Sequence, residues 1–446
     1  MNRRFLAIAA ALAIALAACT SANQSPAAST GGGAASQPAA SAGGGGAQVA
    51  LTIESWRNDD LSIWQDKIIP AFQAKYPNIK LTFAPTAPAD YNGVLNTKLE
   101  GGQAGDLITC RPFDASLALF QKGFLAPIND LPNLKNFGDV AKSAWITDDG
   151  KTVFCMPMAS VIHGFIYNKD AFTALGITAT PKTLPEFHAL LDKIKADGKY
   201  TPLAMGTKDQ WESATMGFQN IGPNFWKGED GRKALIAGTA KFTDKPYVDT
   251  WTELASWKPY LPKGYEAIAY PDAQQYFVSG KAAMYPAGAW DIAYFESQKM
   301  NIGFFGPPVP AAGDQCYISD HTDIALGVNA KSAHATEAKQ FLDWVGSDEF
   351  ASLYANALPG FYSLSNNPVT LTDKVAQQAV DLRQTCKSTI RNSYQILSRG
   401  DTTKGQKNLE NELWRVTAAV VNGTLAPTAA AKEIQAGLDQ WYKPGG

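Results

Sequence analysis

Two hydrophobic periods alternate along the chain from about residue 49 onward. Val49 to Ile53 alternates apolar and polar positions, the pattern of a half-buried strand. Leu61, Trp64, Ile68 and Phe72 follow at spacings of 3, 4 and 4, one face of a helix, with Pro70 expected to kink or restart it. Ile79 to Phe83 reads as a second strand. Thr183-Leu184-Pro185-Glu186 is a capping box with proline in the first turn, and it places Phe187, Leu190, Leu191 and Ile194 inward before Asp197-Gly198 stops the helix. Ser332 is expected to open another helix, carrying Ala338, Phe341, Leu342 and Val345 on one side. Short strands separated by amphipathic helices predict βαβ units and parallel sheets, an α/β protein. At 446 residues the chain exceeds one ordinary core of ~100–200 residues, so at least two lobes are expected.

The first 48 residues read as something other than fold. Arg3 and Arg4 precede an apolar run from Phe5 to Ala18, fourteen residues long. That is short of the ~20 needed to span a bilayer but fits the core of an export signal, so 1–18 is expected to be a signal peptide. The run ends Leu16-Ala17-Ala18-Cys19, a tetrapeptide that resembles the lipobox of bacterial lipoproteins and makes Cys19 the expected lipidation site. From Thr20 to Gln48 there is no charged and no aromatic residue. Such a stretch cannot bury enough apolar surface to offset its chain entropy, so 19–48 reads as a lipidated cysteine and flexible tether. A leash of that composition has a root-mean-square span of about 30 Å.

Composition narrows the function. Lys and Arg total 39 against 41 Asp and Glu, a net charge of −2 that becomes −4 once Arg3 and Arg4 leave with the signal. That balance argues against a nucleic-acid partner, which calls for a basic surplus. The charged fraction is low at 18%, while 11 Trp and 16 Tyr are available for ligands with one apolar face and a polar rim. No phosphate loop, dinucleotide fingerprint, H-E-x-x-H or G-x-S-x-G occurs, and the four histidines, His163, His188, His321 and His334, are scattered. Binding is favoured over catalysis. Four cysteines remain after Cys19, namely Cys110, Cys155, Cys316 and Cys386, with no CxxC spacing; outside the cytosol an even set is expected to pair, in any of three connectivities.

A set of short motifs then falls into a recognisable order. Thr152-Val153-Phe154-Cys155-Met156-Pro157-Met158 is followed by Tyr167-Asn168-Lys169-Asp170, Gly176-Ile177, Pro181-Lys182-Thr183 and Glu186-Phe187. Gly105-Asp106-Leu107-Ile108, read as a strand end, and Gly123-Phe124-Leu125-Ala126-Pro127-Ile128 precede them. Phe277, Gly280-Lys281-Ala282-Ala283-Met284 and Gly288-Ala289-Trp290 come later, and Ala426-Pro427-Thr428 leads into a last helix. Across Val49 to Tyr442 this series resembles the carbohydrate-type, maltodextrin-binding-like extracellular solute-binding proteins of ABC importers. The resemblance implies a two-lobed periplasmic-binding-protein fold, each lobe a mostly parallel sheet flanked by helices, with the hinge crossed three times near 157–161, 322–325 and 360–365. Residues 49–159 and 323–362 would form lobe 1, and 160–322 with 363–446 lobe 2. It implies a monomer, tethered through its lipid to the outer face of the cytoplasmic membrane or in the periplasm, that binds a sugar or oligosaccharide between the lobes and delivers it to the permease subunits of the importer. It implies no cofactor, no metal and no catalytic residue. The alternatives are the same fold with a polyol, phosphoester or polyamine, or a secreted glycan hydrolase working through carboxylates.

With those crossings, pairing Cys110–Cys155 and Cys316–Cys386 keeps each bridge inside one lobe. Candidate ligand contacts follow from the resemblance and from the rule that open α/β lobes bind at strand ends. After the first strand stand Glu54, Ser55, Trp56 and Arg57. Arg111 and Asp114 follow the Asp106 strand, with Ala115 where the family carries an arginine after its acid. Trp290 stands where the family has its stacking tryptophan, and Asp291 is its neighbour. Asp209 and Trp211 lie in a polar–aromatic loop with Lys208 and Gln210. Asp320, His321 and Asp323 sit at the second crossing, and Phe361 and Tyr362 at the third. Arg391, with Tyr394, completes the set.

Overall fold

Ten strands and a shell of helices make up the chain in a computed structural model that describes residues 48–390, 396–400 and 404–444. The expected signal peptide, Cys19, nearly all of the expected tether, Arg391 and Tyr394 lie outside the described residues. The strands are β1 Val49–Ser55, β2 Ile79–Pro85, β3 Leu107–Cys110, β4 Met156–Asn168, β5 Thr201–Leu203, β6 Ala282–Gly288, β7 Ile302–Phe305, β8 Tyr317–Val328, β9 Tyr362–Ser363 and β10 Lys387–Thr389. Their order is β2-β1-β3-β8-β4-β6-β5, with β10 beside β8 and both β7 and β9 beside β4. The helices that matter below are α1 Ile69–Lys75, α2 Tyr91–Glu100, α3 Asp114–Gln121, α4 Leu184–Asp197, α5 Lys245–Ser256, α6 Tyr270–Val278, α7 Ala335–Val345, α8 Leu409–Asn422 and α9 Pro427–Leu438.

The fold is α/β, and the parallel pairing expected from the alternation holds for β1–β2, β1–β3 and β5–β6. The centre is antiparallel, because two long strands pass through both halves of the sheet. Strand β4 pairs with β8 from Met156 to Ile162, then with β6 from His163 to Tyr167, and β8 returns antiparallel to β3. Alternation-based reading misses this, since both strands are buried along nearly their whole length and give no period of two. Two hydrophobic clusters result. One gathers β1, β2, β3 and α1, α2, α7; the other gathers α4, α5, α8 and α9.

Local signals were kept or shifted for identifiable reasons. Helix α4 carries the capping box, Thr183 Oγ1 accepting from Glu186 N and Glu186 returning to Thr183 N, and ends on Gly198 at φ 78°. At Pro70 the helix restarts as expected: Trp64–Ile68 winds as a π-helix, and α1 begins at Ile69 with Pro70 in its first turn, where the missing N–H costs least. Ser332 does not open a helix. Its hydroxyl donates to Asp106 Oδ1 at 2.6 Å and accepts from His334 N, so α7 starts at Ala335. Asp106 also accepts from Thr52 N at 2.9 Å, and with Gly105 it precedes β3 rather than ending a strand.

Both disulfides are formed, Cys110–Cys155 and Cys316–Cys386. The first lies over Gly327 of β8, where a Cβ would stand 2.9 Å from Cys155 Sγ and 3.0 Å from Cys110 Sγ. A side chain at 327 and this bridge exclude each other.

Candidate functional site: an aromatic cleft

The turn after β1 begins the site. Arg57 turns back onto Asp60 in a two-pronged pair, Nε and Nη2 each 2.7 Å from a carboxylate oxygen, and its plane lies 4.9 Å from the Phe361 ring centre. This fixes Trp56 beside it. The Trp56 indole meets Tyr91 of α2 edge-on at 5.5 Å, and Arg111 covers it at 4.4 Å. Arg111 is itself held by Asn92 Oδ1 (2.9 Å) and the Pro88 carbonyl (3.3 Å).

Opposite these groups, β6 ends at Gly288 and delivers Trp290. A Cβ at 288 would fall 1.8 Å from Trp290 Cζ3, so the indole lies directly on the glycine, with His163 edge-on at 5.2 Å. Arg57 Nη2 reaches the Trp290 carbonyl at 3.5 Å. Trp211 leans on Tyr270 at 4.8 Å, and Tyr270 donates to Asp291 Oδ1 at 2.5 Å, which also takes a bond from Gln274. Burial pushes Asp291 up to about 7, against the bonds from Tyr270 and Gln274 that favour its ionised form. Glu410 and Trp414, one turn apart on α8, complete the wall.

The space so enclosed is a cleft of about 820 Å³, counting the part open to solvent. It is lined by Trp56, Arg57, Pro88, Asn92, Arg111, Pro112, Ala115, Trp211, Thr215, Tyr270, Trp290, Asp323, Glu410 and Trp414. Four indoles and a phenol supply flat apolar faces, and two guanidiniums and two carboxylic acids stand on the same wall. Among the described residues no group of three His, Cys, Asp or Glu is placed to hold a metal ion.

Six of the residues expected from sequence line this cleft: Trp56, Arg57, Arg111, Trp211, Trp290 and Asp323. The other described ones are engaged elsewhere, and Arg391 lies outside the described residues. Glu54 is buried against Lys98 and Gly105 N, and Ser55 accepts from Arg57 N. Asp114 is buried against Arg399, and Asp209 accepts from Tyr270 N. Asp291 lies beneath Tyr270, while Asp320 is forked by Arg383 and bonded by Ser388. His321 and Phe361 are buried, and Tyr362 donates to the Ala376 carbonyl. Sequence reasoning missed Tyr270, Thr215, Glu410 and Trp414. For the last two a signal existed: Glu410 and Trp414 stand at i and i+4, on one face of a helix.

Residues 55–351 match the family of bacterial extracellular solute-binding proteins. The chain is 25% identical over 317 residues to the multiple sugar-binding protein of Streptococcus mutans, covering 68% of this chain and 71% of that one. It is 26% identical over 274 residues to the maltodextrin-binding protein MdxE of Bacillus subtilis, covering 59% and 60%. Among solved structures, a chitin oligosaccharide binding protein superposes with a TM-score of 0.74 at 20% identity, covering 89% of this chain and 99% of that one. RafE in complex with raffinose does so with 0.72 at 19%, covering 88% and 99%. The fold is therefore that of two-lobed solute-binding proteins, and the chain belongs to the bacterial extracellular solute-binding protein family.

Proposed function

We propose that the protein is a lipid-anchored receptor that captures a neutral sugar or short oligosaccharide in the aromatic cleft and hands it to the permease of an ABC importer. The observation that carries this reading is the make-up of the wall. Pyranose rings present C–H faces that pack on indoles, and hydroxyls that bond to guanidiniums, carboxylates and amides around the ring edge. Trp290, Trp211 and Trp414 supply faces, while Asn92, Asp323 and Glu410 supply polar groups. The names of the relatives, a multiple sugar-binding protein and a maltodextrin-binding protein, support the same class.

Capture calls for lobes that close. The three segments taken as hinge crossings are direct neighbours, Ala159 facing Ser363, and Ser160 facing both Tyr362 and Thr322. A bend there would move the two halves relative to one another, and no bond in the solute is made or broken.

A thermal-shift screen of the purified chain over sugars, polyols, phosphoesters and polyamines tests the reading. A ligand at ~100 times its dissociation constant adds about 2.7 kcal/mol to stability. At least one saccharide is expected to raise the melting temperature with no release of reducing sugar. Response to a non-sugar class alone overturns the sugar assignment, and sustained glycan turnover overturns the pure receptor. For the anchor, Cys19→Ala is expected to move the protein from the membrane fraction to the soluble one; unchanged membrane association removes Cys19 from that role.

A further inference from the structure

A second cavity draws part of its wall from the same 111–115 segment that lines the cleft. It holds about 500 Å³, counting open space, and Phe113, Asp114, Leu117, Ser143, Thr147, Asp148 and Arg399 stand on its wall. Arg399 spans it. Its Nε lies 2.8 Å from Asp114 Oδ1 and its Nη2 3.3 Å from Asp148 Oδ1, contacts made across 285 and 251 residues of chain. The two ends belong to different cores. Ile396 and Leu397, just before Arg399, pack in the second hydrophobic cluster, whereas Phe113, Leu117, Ala144 and Trp145 around the two acids pack in the first. Both pairs of Arg399 therefore join residues beside one cluster to a residue beside the other.

We infer that Arg399 is an affinity-setting clasp, an ion-paired bridge that holds the two halves of the molecule together on one side of the cleft before any solute arrives. The inference rests on the reading of two lobes closing on a ligand. Asp114 is the fixed end. Its side chain is 2% exposed and its second oxygen, Oδ2, is buried with no hydrogen-bond partner, so losing Arg399 leaves a carboxylate in an apolar setting with nothing opposite it. Asp148 is 62% exposed and Arg399 41%, so that half of the clasp is open to water and is the side from which it can come undone. A clasp of this kind raises the fraction of binding-competent closed molecules, and apparent affinity scales with that fraction. Unlike a contact residue, it acts equally on every solute the cleft accepts.

The test is small-angle scattering of the ligand-free chain, wild type against Arg399→Ala, with the double variant Arg399→Ala/Asp114→Asn as control. The double variant removes the stranded charge, so an effect of simple destabilisation disappears in it while an effect of the missing bridge persists. Circular dichroism confirms folding. Both variants are expected to show a larger radius of gyration than wild type, and 1 M NaCl is expected to expand wild type but not the variants. Whichever saccharides bind are then expected to weaken by one common factor, on the order of fivefold or more. Equal radii for all three proteins, or a loss confined to one saccharide, overturns the clasp. No ligand enters the scattering measurement, so a failure of the sugar reading leaves this result intact and interpretable.

Discussion

Replacing Gly288 by alanine displaces the central indole of the cleft without deleting it. The backbone at 288 is extended, φ −95° and ψ 163°, a conformation any residue adopts, so the substitution costs nothing there. The closest conflicts are all with Trp290. The new Cβ lies 1.8 Å from Cζ3, 2.1 Å from Cε3 and 2.3 Å from Cη2, while ordinary carbon contact begins near 3.4 Å. The ring must therefore yield by about 1.6 Å, far outside the ~0.5 Å tolerance of a preorganised site. Overpacking of this kind costs ~1–3 kcal/mol of stability. Loss of a well-aligned aromatic face costs ~0.5–1.5 kcal/mol of binding, up to roughly tenfold in affinity. Trp290→Ala by itself is a poorer probe, because the residue is only 7% exposed and its removal takes ~3–5 kcal/mol from folding. The double variant Gly288→Ala/Trp290→Ala discriminates. With the indole gone the closest conflicts are removed, so the double variant is expected to melt close to Trp290→Ala, a coupling of ~1–3 kcal/mol in the thermal or urea cycle. Additive stability losses, or full saccharide affinity in Gly288→Ala, would refute the placement of Trp290 as the platform.

Three further outcomes are expected. Burial raises Asp291 from its usual range to about 7, so the folded state favours the protonated form; the stabilisation it lends is complete below about pH 4 and is lost as pH rises through about 7, an upper bound near 4 kcal/mol at ~1.36 kcal/mol per pH unit. Asp291→Asn is expected to flatten the fall in melting temperature between pH 4 and 8, and an unchanged slope would assign that fall to other groups. Opening the Cys316–Cys386 bridge, 70 residues apart in sequence, is expected to cost ~2–4 kcal/mol in urea unfolding, and the half-buried Cys316 makes it the first bridge to react with dithiothreitol, before the fully buried Cys110–Cys155. Arg111→Ala uncovers Trp56 and removes a stacking cation worth ~0.5–1 kcal/mol or more; its expected signature is a change in Trp56 fluorescence with weaker saccharide binding, and an unaltered emission spectrum would contradict the stacking.

What the sequence made legible was local. Capping at Thr183 and Gly198 and the apolar faces of α4 and α7 needed only spacing, because each signal lies within one turn of the residues it governs. The antiparallel centre was hidden, since β4 and β8 are buried along nearly their whole length and meet across more than 150 residues of chain. The site divides along the same line. Trp56, Arg57, Arg111, Trp211 and Trp290 sit at strand ends or in loops beside them, where position in sequence already implies exposure to a cleft. Asp114 and Asp320 occupy equally suggestive positions but are consumed by Arg399 and Arg383, partners 285 and 63 residues away. No local pattern reports such a pairing. Glu410 and Trp414 were legible as a helical pair, but which side of α8 met the cleft depended on packing against the second core.

The most direct test of the account is a crystal structure of the chain grown with the saccharide that most raises its melting temperature. The account predicts a sugar ring lying on Trp290 in the cleft bounded by Trp56, Trp211 and Trp414, with its hydroxyls bonded by groups among Arg57, Asn92, Arg111, Asp323 and Glu410. A saccharide bound outside this cleft, or one in it with no ring against Trp290, would contradict it.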